Sequence, residues 1–178
     1  FNNKKVDNFF IWDDNKAIRD TNGIEKKYKE KYFAKILDTI DWIILSPGIS
    51  IERSRLKKKL IKNRHKIITD LDLFYILNPS IQSIVVTGSN GKSTTCKIIE
   101  NVLKKNNIKV KLGGNIGKPI LDLDVKKNST IVIEASSFQL EYSQFIRPSY
   151  AMILNITNDH LDWHLTMKNY KSSKFKIF

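Results

Sequence analysis

The residues best placed to do chemistry form one run, Thr87-Gly88-Ser89-Asn90-Gly91-Lys92-Ser93-Thr94. The buried-type stretch Ser83-Ile84-Val85-Val86 leads directly into it. A helical pattern follows from Thr95 to Lys105, with Ile98, Ile99, Val102 and Leu103 on one face. Strand, glycine turn, lysine, hydroxyls and helix, in that order, make a cradle for an anion. Glycine lets the backbone turn tightly and come close to a phosphate. The N–H groups at the helix start then point at phosphate oxygens, with the helix dipole in the same sense. On this reading Gly88 to Thr94 hold a nucleotide, Lys92 pairs with its terminal phosphates, and the hydroxyl of Ser93 or Thr94 reaches Mg2+. The general phosphate-loop pattern wants a glycine where Val86 stands, so this loop is a shortened variant. The competing reading is a helix N-terminus with incidental serine and lysine.

The elements that must carry this loop are legible as a pattern. Phe9 to Trp12, Asp41 to Leu45, Lys66 to Thr69, Thr130 to Glu134 and Ala151 to Asn155 read as further strands. Helical spacing marks Ile24 to Leu37, a basic stretch with Ile51, Leu56 and Leu60 as core, Asp70 to Leu77 before Asn78-Pro79, and the end of the chain from Met167. Strands alternating with helices predict an α/β fold with mainly parallel sheets. The break at Pro79 predicts two regions, residues 1–79 and 80–178.

The 178 residues carry a formal net charge of +13. Such a surplus suits nucleotides or other polyanions. However, the lysines are scattered, and no aromatic-interleaved nucleic-acid motif is present, so a solvated surface is expected and a nucleic-acid partner is not. One cysteine, Cys96, allows no disulfide framework. No apolar run approaches the roughly 20 residues that span a bilayer. A cytoplasmic monomer with no membrane partner is expected. The first residue is Phe and the last residues still read as helix, so both ends look cut.

The loop from Thr87 to Thr94 resembles the nucleotide loop of the Mur ligases, which folylpolyglutamate synthases share. Gly113-Gly114-Asn115-Ile116-Gly117 resembles their substrate- and phosphate-contacting loop. Glu134-Ala135-Ser136-Ser137-Phe138-Gln139 resembles the segment of the D-glutamate-adding branch. Asn155 to Asp162 resembles the histidine motif, and Tyr170 to Lys174 the segment with a carbamylated lysine. Before Ser83 the likeness is looser, through Ser46-Pro47-Gly48-Ile49 and Asp70 to Phe74. The resemblance implies a Rossmann-like N-terminal domain for UDP-linked substrate, followed by a parallel-sheet ATP domain, each partial here.

It also implies a reaction. ATP phosphorylates the alanine carboxylate of UDP-N-acetylmuramoyl-L-alanine, and the D-glutamate amine attacks the acyl phosphate. The family pattern assigns Lys92 to ATP, Ser93 and Glu134 to a first Mg2+, and His160 to a second. Lys174 becomes a carbamate, which needs an amine of lowered pKa. Asn115, Ser136, Phe138, Gln139 and Gly48 contact substrate, and Asp13 contacts uracil, although Asn15 stands where the family often has arginine. Other readings remain open at several positions. Glu134 could cap a loop, His160 could be a structural histidine between Asp159 and Asp162, and Phe138 could be core. His65 and His164 read as surface or core histidines, and Cys96 as buried. A third domain and the start of the first would lie outside this chain, so the chain alone is not expected to complete a ligation.

Overall fold

In the computed structural model, residues 10–13, 15, 17 and 30–178 are described. The described chain divides into two compact units. One takes the residues through Ile43 together with Ile51–Lys66; the other takes Ile44–Ser50 and Ile67–Phe178.

The first unit contains α1 (Glu30–Ile36) and α2 (Lys57–Lys62). Phe33, Ile36, Leu37, Ile51, Leu56 and Leu60 are buried in it. Trp12 stacks on Phe33 with ring centroids 5.0 Å apart. Phe10 to Trp12 are not a strand, in contrast to the expectation for Phe9 to Trp12. Most of the expected helix from Ile24 lies outside the described residues.

Two short strands, β1 (Ile43–Ile44) and β2 (Ile67–Ile68), pair with each other. Helix α3 (Asp70–Leu77) opens with a capping box. Thr69 accepts from the Asp72 N–H, and the Asp72 carboxylate accepts from the Thr69 N–H. Although α3 precedes Pro79, it packs with the second unit, because Leu71, Phe74 and Tyr75 share a core with Val85, Ile131 and Ile133.

The second unit is built on a parallel sheet in the order β4-β5-β3-β6: Val110–Gly114, Thr130–Glu134, Gln82–Thr87 and Tyr150–Ile153. Every residue of β5 is buried, as expected for a central parallel strand covered on both faces. Side-chain alternation sorts the two cores. Val85, Ile131 and Ile133 join Phe74, Leu140 and Ile177 on one face. Val86, Val132 and Cys96 form the other beneath α4 (Lys92–Lys105). The helix begins earlier than the pattern suggested, and its inward stripe is Cys96, Ile99 and Leu103. Ile98 and Val102, assigned by sequence to the buried face, are exposed. Two short helices escaped the sequence pattern, α5 (Ser137–Tyr142) and α6 (Leu161–His164). Helix α7 (Met167–Phe175) closes the unit.

Candidate functional site

Register brings the polar residues together. Val86 lies beside Glu134 across β3 and β5, Gly114 lies beside Glu134 across β4 and β5, and Thr87 lies beside Ile153. The loops after β3, β4, β5 and β6 therefore emerge at one carboxyl edge, the place where open parallel sheets bind ligands.

Gly91 caps α4 with φ of +82°, a left-handed conformation that favours glycine. The Ser89 N–H donates to the Asn155 carbonyl at 3.0 Å, and the Asn90 N–H to the Asn155 side-chain oxygen at 2.9 Å. The Asn155 amide returns a bond to the Asn90 carbonyl at 3.0 Å. Asn155 thus pairs with the loop as a neighbouring strand would, and α4 starts from Lys92 with its N–H groups leading into the site. Thr94, on the first turn of α4, is exposed. The Lys92 ammonium donates to the carbonyls of Gly88 and Ser89, each at 2.9 Å.

Glu134 is 2% exposed at the end of β5. One carboxylate oxygen accepts from Ser93 Oγ at 2.7 Å and the other from Asn115 Nδ2 at 3.0 Å. The Asn115 N–H also donates to the Glu134 carbonyl at 2.8 Å. This close approach requires Gly114, whose φ is +101° and whose added Cβ would sit 2.4 Å from the Glu134 carbonyl oxygen. Gly114→Ala is expected to cost about 3 kcal/mol or more. Its melting temperature should fall by roughly 10 °C, readable by calorimetry.

Lys174 on α7 is 1% exposed. Its ammonium donates to the Gly88 carbonyl at 2.9 Å, so two cations, Lys92 and Lys174, converge on one oxygen. Burial, and then repulsion from Lys92, push the Lys174 pKa down to about 8. A lowered pKa of this kind is what carbamate formation requires.

His160 sits in a left-handed conformation ahead of α6, half exposed, 3.4 Å from Asp159 and 4.7 Å between ring centroids from Phe138. Phe138 also stacks on His164 and meets Trp163 edge-on, so it belongs to an aromatic nest beside the site. Ser136 and Gln139, expected to face substrate, form the capping box of α5. Gln139 Nε2 additionally donates to Asp70 at 3.0 Å. Gly48 lies in the Pro47-Gly48 turn with nothing within 4 Å of an added Cβ. Asp13 belongs to the other unit and accepts from the Asn15 N–H at 2.7 Å. His65 is exposed.

His164 is a core residue, 3% exposed, bonded to Ser137 Oγ at 3.0 Å. Burial, then the nearby positive charge, push its pKa down to about 4. The unfolded chain therefore binds a proton between pH 6.5 and 4 that the folded chain refuses. Stability should fall as pH drops through that window. Thermal melts of His164→Gln against the parent chain should show a shallower fall.

Among the described residues, no three His, Cys, Asp or Glu side chains gather as a metal cluster. The donor set of Ser93 hydroxyl and Glu134 carboxylate instead fits a hard cation whose remaining ligands are phosphate and water oxygens. Among the described residues, no helix is long and apolar enough to cross a membrane.

A parallel α/β unit with a strand–glycine loop–helix turn and a buried carboxylate beside it defines the class. The Mur ligase middle domain matches residues 86–178, and the chain belongs to the Mur ligase family. It is 37% identical over 188 positions to the UDP-N-acetylmuramoylalanine–D-glutamate ligase of Caldicellulosiruptor bescii, covering 98% of this chain and 40% of that protein. The enzyme of the same name from Rickettsia bellii is 38% identical over 176 positions, covering 96% of this chain and 38% of that protein. That of Wolbachia pipientis is 42% identical over 139 positions, covering 78% and 27%. The chain thus spans about 40% or less of the length of these relatives.

Proposed function

We propose that the protein is an ATP-dependent ligase of peptidoglycan synthesis that joins D-glutamate to UDP-N-acetylmuramoyl-L-alanine. The observation that carries this reading is the meeting of Lys92, Ser93, Glu134 and Asn115 at the carboxyl edge of the sheet. The names of the relatives supply the substrates. Residues 80–178 serve the nucleotide, and residues 1–79, with Asp13 and Gly48, serve the UDP-linked substrate. Both substrates are small cytoplasmic molecules, and the protein acts as a monomer.

The loop from Gly88 to Thr94 holds the ATP phosphates, with Lys92 leaving the Gly88 and Ser89 carbonyls to pair with the terminal phosphates. Ser93 and Glu134 would hold one Mg2+ and His160 a second, and such an ion would supply positive charge beside the phosphates. Asn115 orients the substrate carboxylate from its fixed place on Glu134. Ser136, Gln139 and Phe138 shape the wall behind it. Lys174, as a carbamate, offers the metal region an anion in place of a cation; its neutral amine adds to CO2 and releases a proton.

The test is phosphate release by the protein purified at its native length, supplied with ATP, Mg2+ and UDP-N-acetylmuramoyl-L-alanine. D-Glutamate should stimulate release, and L-glutamate, glycine and L-lysine should not. Stimulation by another amino acid, or by a folate, would replace this assignment with another branch of the superfamily.

A further inference from the structure

Tyr170 has no part in the chemistry above, yet it is fully buried on α7 and reaches the phosphate loop. Its hydroxyl lies 2.8 Å from Ser89 Oγ. The direction of that bond follows from counting protons. Ser89 Oγ accepts from the Thr157 N–H at 3.0 Å, and its own proton points to the Thr157 carbonyl at 3.2 Å. A serine hydroxyl has one proton to give, so the bond to Tyr170 is one in which the phenol donates. Burial raises the Tyr170 pKa, which keeps that proton in place.

The ring cannot turn away. The Lys174 ammonium sits 4.6 Å from its centroid, and the His164 ring is 5.2 Å away. One turn of α7 thus sends two side chains to consecutive loop residues, Tyr170 to Ser89 and Lys174 to the Gly88 carbonyl. Ser89 and Asn90 are also held by Asn155. The loop is therefore fastened from behind by polar contacts, leaving the stretch from Gly91 to face an anion.

We propose that Tyr170 is a positioning residue for the phosphate loop, its hydroxyl fixing Ser89 so that the helix start is already arranged for a nucleoside triphosphate. This rests on reading the loop as the nucleotide site. Preorganisation of this kind raises affinity by removing the ordering cost from binding.

The test combines two readouts on the purified chain and on Tyr170→Phe, Ser89→Ala and the double variant. Tyr170→Phe keeps the ring and removes only the hydroxyl. Titration calorimetry with ATP and Mg2+ should show about 5- to 10-fold weaker binding for Tyr170→Phe. Adding that change to Ser89→Ala should weaken binding no further, because the phenol then has no partner to fix. Hydrogen exchange in the nucleotide-free chain should quicken at Gly91 and Lys92 in Tyr170→Phe, while amides from Ile98 to Leu103 stay as in the parent. Unchanged exchange at the loop, unchanged affinity, or additive losses in the double variant would each overturn the proposal. If the parent chain binds no ATP, the reading of the loop as a nucleotide site fails, and loop exchange still decides whether Tyr170 fixes it.

Discussion

Lys92→Ala should weaken binding of ATP with Mg2+ by about 10- to 100-fold, with little change in melting temperature. A charge-assisted contact contributes roughly 1.5–3 kcal/mol, and each 1.4 kcal/mol is tenfold in affinity. The direction of the stability effect follows from what Lys92 touches in the free chain. Among the described residues, its ammonium donates to two neutral carbonyls, and Lys174 already donates to one of them. Removing Lys92 therefore relieves a repulsion while taking away two hydrogen bonds. The loss should appear in the nucleotide titration and not in the thermal melt. Lys92→Arg should recover little, because the larger guanidinium must fit a space set by one ammonium.

Glu134→Gln should abolish most of the Mg2+-dependent part of that affinity, about a further tenfold or more. The carboxylate accepts from Ser93 with one oxygen and from Asn115 with the other. Glutamine offers one oxygen, which can keep the Asn115 bond, and one amide nitrogen, which turns Ser93 from a donor to a carboxylate into an acceptor from an amide. The change also removes the only acidic ligand assigned to the first cation. Titrations of parent and variant with ATP in Mg2+ and in EDTA should differ strongly for the parent and converge for Glu134→Gln. A variant with the full Mg2+ effect would move the cation site away from Glu134.

The sheet was readable because its strands are short apolar runs bounded by turn residues. Thr130 to Glu134 and the helix Asp70 to Leu77 have the ends that the pattern predicts. The loop was readable because glycine, lysine and hydroxyls fall between a strand and a helix. The buried stripe of α4 was misplaced because four apolar residues, Ile98, Ile99, Val102 and Leu103, spread over more than one face. Cys96 carries no weight in such a pattern, although it is the fully buried residue. The short helices α5 and α6 are set by caps and tertiary contacts, which periodicity does not register.

Within the site, what sequence could not show is who holds whom. Asn155 reads only as part of a motif, yet its amide pairs with Asn90 in both directions. Gln139 reads as a substrate contact, yet its side chain closes a helix cap and donates to Asp70. Tyr170 lies four residues before Lys174, one helical turn, and that spacing was the available signal that both reach the same loop.

The nucleotide site is tested most directly by calorimetric titration of ATP into the purified chain with and without Mg2+, beside Lys92→Ala. Saturable one-to-one binding is expected, strengthened by Mg2+ and weakened at least tenfold by Lys92→Ala. No binding by the parent chain, or equal binding by Lys92→Ala, would contradict it.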